Sequence, residues 1–393
     1  MGCSESGDEP PSNGGDEPLF AVTGAIVQPG GEFVPWLALF PEISADLEFD
    51  LEQAFSPGPG VFFIPGDGSI LWMQQDAPVI ERFRFGTDGE LVSDGRVSFG
   101  AFGVASASDN LAIYISPTRA YLVDRRMPQI VAWNPETMEI AGDQALSRLV
   151  RTGLKTNIEF AEVIEDRLIV VGRYRRDADD SWAPLTVAAF VNPADDSIVY
   201  DEDERCGNVV TGAPASDGFV YLGSFMTAAA ATYAQEGGDP AVTACQIRLN
   251  VSRASFDDDY FVDLSSLAPA GLIGGPVARS GNTDYYSLFD DSAAPLPPPA
   301  APGVALTMSP AWQVHTATLG SEAETLAPVS IIPPSGTIFS VSTFRDVDGV
   351  ERSVFGQFAP DFSSSQAFDL TSPEDIQPLF TTPGPMGQVT RVR

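Results

Sequence analysis

The sequence predicts an all-β fold, a seven-bladed β-propeller closed by the C-terminal strand joining blade one. Three observations carry this. A unit of three β-rich runs, split by a loop and then a tight turn, recurs seven times at about 50 residues, the period of a propeller blade. A further run precedes every unit but the first. One run, Gly387-QVTRVR, is left over at the C-terminus with no unit after it.

The elements follow in chain order. Residues 1–18 hold Met1-Gly2-Cys3-Ser4 and then Glu5-SGDEPPSNGGDEP, a stretch with no apolar side chain besides proline. Such a stretch has nothing to bury and reads as a flexible acidic tether; residues 19–393 read as one propeller domain. Units open near Leu19, Ser69, Arg119, Arg167, Gly218, Thr283 and Gly336. The clearest copy is Arg119-AYLVD, the loop Arg125-RMP, Gln129-IVAWN, the turn Pro135-ET and Met138-EIAGDQAL. The innermost slots of units two to seven are assigned to Pro59-GVFFIPG, Leu111-AIYISP, Asn157-IEFAEVIE, Val209-VTGAPA, Ile273-GGPVARS and Val329-SIIPP. Unit one lacks such a run, so Gly387-QVTRVR is expected to fill its slot and remove the open edges of a linear array. The one helix of useful length is expected at Thr227-AAAATYAQE.

Charge excludes some functions. Fifty-four acidic residues against 21 basic give a formal net charge of −33. Such a surface repels nucleic acid, whose binding draws most of its affinity from phosphate neutralisation, and anionic lipid headgroups. No run of 18 apolar residues is present to cross a membrane as a helix.

The N-terminus and the cysteines point outside the cytoplasm. Gly2-Cys3 ahead of an acidic tether has the look of a bacterial lipoprotein cleavage site, where the cysteine becomes the lipidated first residue; Met1 would then stand in for a removed signal. Met1-Gly2-Cys3-Ser4-Glu5-Ser6 also fits N-myristoylation with palmitate on Cys3. Membrane contact is expected through the lipid alone. Cys206 and Cys245, an isolated even pair, fit one disulfide of an exported protein. The bond would staple the insertion 225–244 to the body of blade five.

In a blade whose strands run outward from the axis, second-to-third-strand loops and interblade links share one face. The insertions Arg175-RDADDSW, 225–244 and 290–310 are all second-to-third loops, so they are expected together on that face, where long loops on a rigid scaffold bind ligands. Arg125, Arg126, Arg175, Arg176 and Arg345 are placed there too, with Trp182 and Tyr233 as aromatic contacts. They form a candidate mouth for an anionic ligand held by charge-assisted hydrogen bonds. The alternative is ordinary pairing with Asp177, Asp179 and Asp180.

Catalysis is not expected, and neither is a cofactor or a metal. His315 is the only histidine, and there is no Gly-x-Ser-x-Gly elbow, P-loop or dinucleotide fingerprint. A His-based zinc site is excluded by arithmetic. A paired-carboxylate hydrolase or lyase is the third choice, after a protein-interaction scaffold.

Asp203-ERCGNVV, Asp217-GFVYLGSF, Cys245-QIRLN and Phe256-DDDYFVDL, with Arg119-AYLVD, Ile130-VAWNPETMEI and the Gly-Cys start, resemble the iron-uptake lipoproteins of myxobacterial siderophore (myxochelin) clusters. More distantly, the chain is similar to Bacteroidetes surface lipoproteins that capture foreign siderophores. The resemblance implies a seven-bladed propeller, a lipid anchor at Cys3, a Cys206–Cys245 disulfide and a place at the bacterial outer membrane. It also implies a ferric siderophore as ligand and an outer-membrane transporter as partner.

Overall fold

In the computed structural model, which describes residues 17–393 apart from 87–89, 226–232, 234–243, 269–271, 281–282, 299–302, 319–325 and 337–338, the repeats pair as seven antiparallel sheets. Each sheet is a blade. Cys3 and most of the expected helix over 227–236 lie outside the described residues.

Composition along a strand follows its distance from the axis. Second and third strands are packed on both faces by neighbouring blades, so they are apolar without alternation: Ala120–Val123, Ile130–Trp133, Leu168–Val171 and Val187–Val191 are all buried. Outer strands meet water, and Glu139–Ala145 is accordingly mostly exposed. Many of the acidic residues serve turns. Asp67, Asp195, Asp217 and Asp361 each accept the N–H two residues ahead at 3.0 Å, the Asx geometry that makes Asp a turn former.

The ring closes as expected. Met386–Arg391 pairs antiparallel with Phe20–Val27, from Phe20↔Arg391 to Gly24↔Met386, and packs beside Phe339–Arg345 of blade seven. Met386, Val389 and Val392 are buried there.

Three expectations are corrected. The run 329–334 is not the innermost strand of blade seven; Phe339–Arg345 takes that place, followed by Glu351–Phe358, Ser364–Asp369 and Gln377–Pro383. Pro333 and Pro334 cannot donate to a ladder, and the segment forms turns linking blade six to seven. Arg345 consequently ends an innermost strand and sits on the face opposite the long loops. Blade one has only three strands, in the order Phe33–Phe40, Phe20–Val27, Met386–Arg391; its expected third run does not join the sheet.

The two ends of the ring are thereby defined. The loop face carries the second-to-third loops and the interblade links. The turn face carries the other turns and the point where the chain enters, with the Leu19 N–H donating to the Arg393 carbonyl at 3.2 Å. The expected disulfide is present: Cys206, in the link into blade five, is bonded to Cys245, which opens the third strand of that blade.

A candidate anion site on the loop face

The arginines of blades three and four converge on Glu159. This residue occupies a bulge in the innermost strand of blade four (Leu154–Ile164), where the register slips between Ile158 and Phe160. A bulge re-aims a side chain that would otherwise follow the pleat. Glu159 thereby meets two guanidiniums, those of Arg125 from blade three and of Arg173 from the second strand of blade four, the latter at 3.0 Å.

Both arginines are held by further contacts. The Arg125 backbone N–H donates to Asn110 Oδ1 at 3.0 Å and its Nε to the Ile158 carbonyl at 2.9 Å. Arg173 donates to Asn208 Oδ1 at 2.6 Å. Its guanidinium lies 4.4 Å from the centre of the Trp182 ring, and that of Arg175 lies 4.3 Å from the same ring. Asn208 stands in the left-handed region, φ 57°, two residues beyond the disulfide-bonded Cys206. Short polar side chains tolerate that conformation.

Charge is unevenly matched here. Arg125 and Arg173 share Glu159, Arg175 and Lys155 share Asp180, and Arg126 pairs with Asp109. Arg176 donates to the Ser181 hydroxyl at 3.0 Å and the Trp182 carbonyl at 2.6 Å, and its charge, after the hydrogen bonds from Ser181, helps hold the Asp179 carboxyl below its ordinary pKa. Burial first, and then the like charges of Arg175 and Arg125, push the Arg173 pKa down to about 9. A cation disfavoured by its neighbours is a place where an anion gains from binding.

The structure thus brings Arg125, Arg126, Arg175 and Arg176 to one corner of the loop face and answers most of them with acidic partners. Arg345 is not among them. Trp182 is only 1% exposed, so it supports the arginines from beneath and is not a surface contact. Tyr233 is half-buried against the apolar cluster of Leu272, Phe289 and Trp312. Sequence reasoning missed Glu159, Arg173 and Asn208. Arg173 left one signal, a basic residue inside the apolar strand Arg167-LIVVGRYRR.

His315 lies in the strand Trp312–Thr318, with Nδ1 3.1 Å from the Gln313 carbonyl. The innermost strand of blade four also carries Glu162. Its pKa is raised to about 7, by burial first and then by the charge of Glu351 in blade seven. Among the described residues no group of three or more His, Cys, Asp or Glu side chains could hold a metal ion. No described helix is long and apolar enough to cross a membrane.

No family model and no curated protein matches the chain. Solved structures share its fold at low identity. A protein from Lactobacillus plantarum is 8% identical at TM-score 0.55, over 96% of this chain and 100% of that one. A putative 6-phosphogluconolactonase from Bacteroides fragilis is 12% identical at TM-score 0.53, over 98% and 100%. The periplasmic gluconolactonase of Pseudomonas aeruginosa is 11% identical at TM-score 0.53, over 95% and 99%. The expectation that the chain is not an enzyme is corrected by this finding. Proteins described as lactonases share the fold almost end to end, and a site assembled from separate blades needs none of the local motifs whose absence carried that expectation.

Proposed function

We propose that the protein receives an anionic small molecule, with a ferric siderophore as the ligand class, at the loop-face mouth around Arg125, Arg173, Arg175 and Arg176. The observation that carries this is a single carboxylate, Glu159, shared by two guanidiniums in a chain of formal charge −33. Guanidinium donors that outnumber their carboxylates retain N–H groups for the oxygens of an anion. A lipid anchor at Cys3 in the outer membrane fits this reading. The chain enters on the turn face, so a tether there would turn the mouth away from the membrane and toward an incoming ligand or a transporter.

The test is a thermal-shift screen of residues 19–393 against ferric catecholate, hydroxamate and carboxylate siderophores, with iron-free controls. A ligand that binds only the folded state raises the melting temperature by mass action. The expected result is a rise with one chemical class that Arg173→Gln abolishes. No rise with any class refutes the siderophore reading.

A second reading, lactone hydrolysis, is favoured by the two neighbours described as lactonases and by the placing of Glu159. Glu159 would take a proton from water as its oxygen bonds to the lactone carbonyl carbon. Arg173 would stabilise the oxyanion, and on its collapse the ring C–O bond would break as Glu159 returns the proton to the departing ring oxygen, releasing a hydroxy acid. Acid release from gluconolactone and 6-phosphogluconolactone measures it. Turnover that Glu159→Gln abolishes supports this reading, and no turnover above the spontaneous rate rejects it.

A further inference from the structure

Blade one is built one strand short, and the lane of the missing strand, bridged by Phe55 at Leu37, is open beyond that bridge at Leu39. In the other six sheets the third strand is covered by an outer one. In blade one the third strand, Phe33–Phe40, is the edge. The segment after it places Phe49 against Trp36 and Phe380 on the blade-seven side. It then returns Phe55 to Phe62 and Phe83 of blade two. It touches the edge as a strand would only at Leu37, whose N–H and carbonyl both bond to Phe55 at 2.9 Å.

That single bridge fixes the direction of the edge. Leu37 bonds outward, so by the alternation of an antiparallel ladder Pro35 and Leu39 also face outward. Pro35 has no N–H, and its carbonyl accepts the Ser56 hydroxyl at 2.7 Å. Among the described residues no backbone group meets Leu39. A cavity of about 740 Å³ lies against Leu37–Phe40, walled by Glu48, Asp50, Glu52 and Glu90 and by no lysine or arginine.

We propose that the open end of this edge, at Leu39, takes a short, extended, basic segment of a partner protein. Strand addition supplies affinity through backbone hydrogen bonds, and side chains at alternate positions supply selectivity. Of the carboxylates around the groove, Glu48 and Glu52 select Lys or Arg at the positions that face them, while Asp50 accepts the Glu52 N–H at 3.0 Å and the Gln53 amide at 2.8 Å. The same carboxylates repel a second copy of this acidic chain and its own residues 1–16, which carry Glu5, Asp8, Glu9 and Asp16 and no basic residue. This site lies apart from the loop-face arginines and does not depend on them.

The probe is a fluorescent peptide alternating valine and arginine over eight residues, titrated into the full chain by anisotropy. Its acidic counterpart, alternating valine and glutamate, and a backbone N-methylated copy are the controls. Saturable binding of the basic peptide alone is expected, weakening with salt. Leu39→Pro should weaken it at least tenfold while leaving the fold intact, because the N–H it removes faces outward and edge strands tolerate proline there. Combined Glu48→Gln and Glu52→Gln should weaken it severalfold without touching the backbone. Equal binding of the N-methylated peptide, or no saturable binding at millimolar peptide, overturns the proposal. In the latter case the carboxylates only guard the edge against self-association.

Discussion

Replacing Glu159 by glutamine should move stability and anion affinity in opposite directions. The substitution keeps the shape of the side chain and removes one negative charge from between Arg125 and Arg173. The Arg173 side chain is 13% exposed and the Arg125 side chain 34%. Leaving a buried charge without its partner costs about 3–5 kcal/mol. Asn208 still receives Arg173 and solvent still screens Arg125, which brings the expected loss to roughly 2–4 kcal/mol. With an unfolding entropy of about 0.8 kcal/mol/K for a chain of this length, the melting temperature should fall by about 2–5 °C. For a bound anion the sign reverses, because a nearby like charge has gone. At about 6–8 Å and an effective dielectric between about 20 and 40, that repulsion is worth roughly 1–3 kcal/mol, so affinity should rise about five- to a hundred-fold. Calorimetric unfolding and titration with the ligand found by the screen measure the two effects on one protein. Unchanged or weaker anion binding in the Glu159→Gln protein, with the melting temperature lowered as expected, would refute the charge-surplus account of the mouth.

Other perturbations test the frame around the site. Removing the disulfide with Cys206→Ala and Cys245→Ala frees a loop of 39 residues, worth about 4 kcal/mol of unfolded-state entropy; denaturant unfolding should show a loss of that order relative to the oxidised parent. Deleting 386–393 removes the buried Met386, Val389 and Val392, roughly 5–9 kcal/mol of apolar burial. This is comparable to the whole stability of a domain, so circular dichroism should show cooperative folding lost. Glu162 gives a pH signature. Its carboxyl titrates near 4.5 when unfolded and at about 7 when folded, so the folded chain holds a proton across that interval that the unfolded chain has released. The stabilisation is full below pH 4.5 and is lost as pH rises through 7; Glu162→Gln should flatten the fall in melting temperature between pH 5 and 8, and an unchanged slope would remove Glu162 as its source.

Strand pattern, repeat number and ring closure were legible in the sequence because they rest on local signals. Apolar runs such as Ile130–Trp133, turn-forming Asp and Pro, and a strand left over at Gly387 specify blades without reference to distant residues. The same topology fixed the face of the long insertions, and the isolated cysteine pair fixed the disulfide. Strand assignment failed where the local signal was ambiguous. Val329-SIIPP looks like a strand by composition, but proline prevents the ladder, and the slip carried Arg345 to the wrong face. The site itself was half visible. Arg125, Arg175 and Arg176 stood out in loops, whereas Glu159 and Arg173 are ordinary strand residues until a bulge and the packing of blade three on blade four bring them together. The open edge of blade one was not visible at all, because an absent strand has no sequence signature. The sequence determined which segments form strands and how many blades they build. Only the tertiary structure decided which charges meet and which edge stays uncovered, since both depend on contacts between residues far apart in the chain.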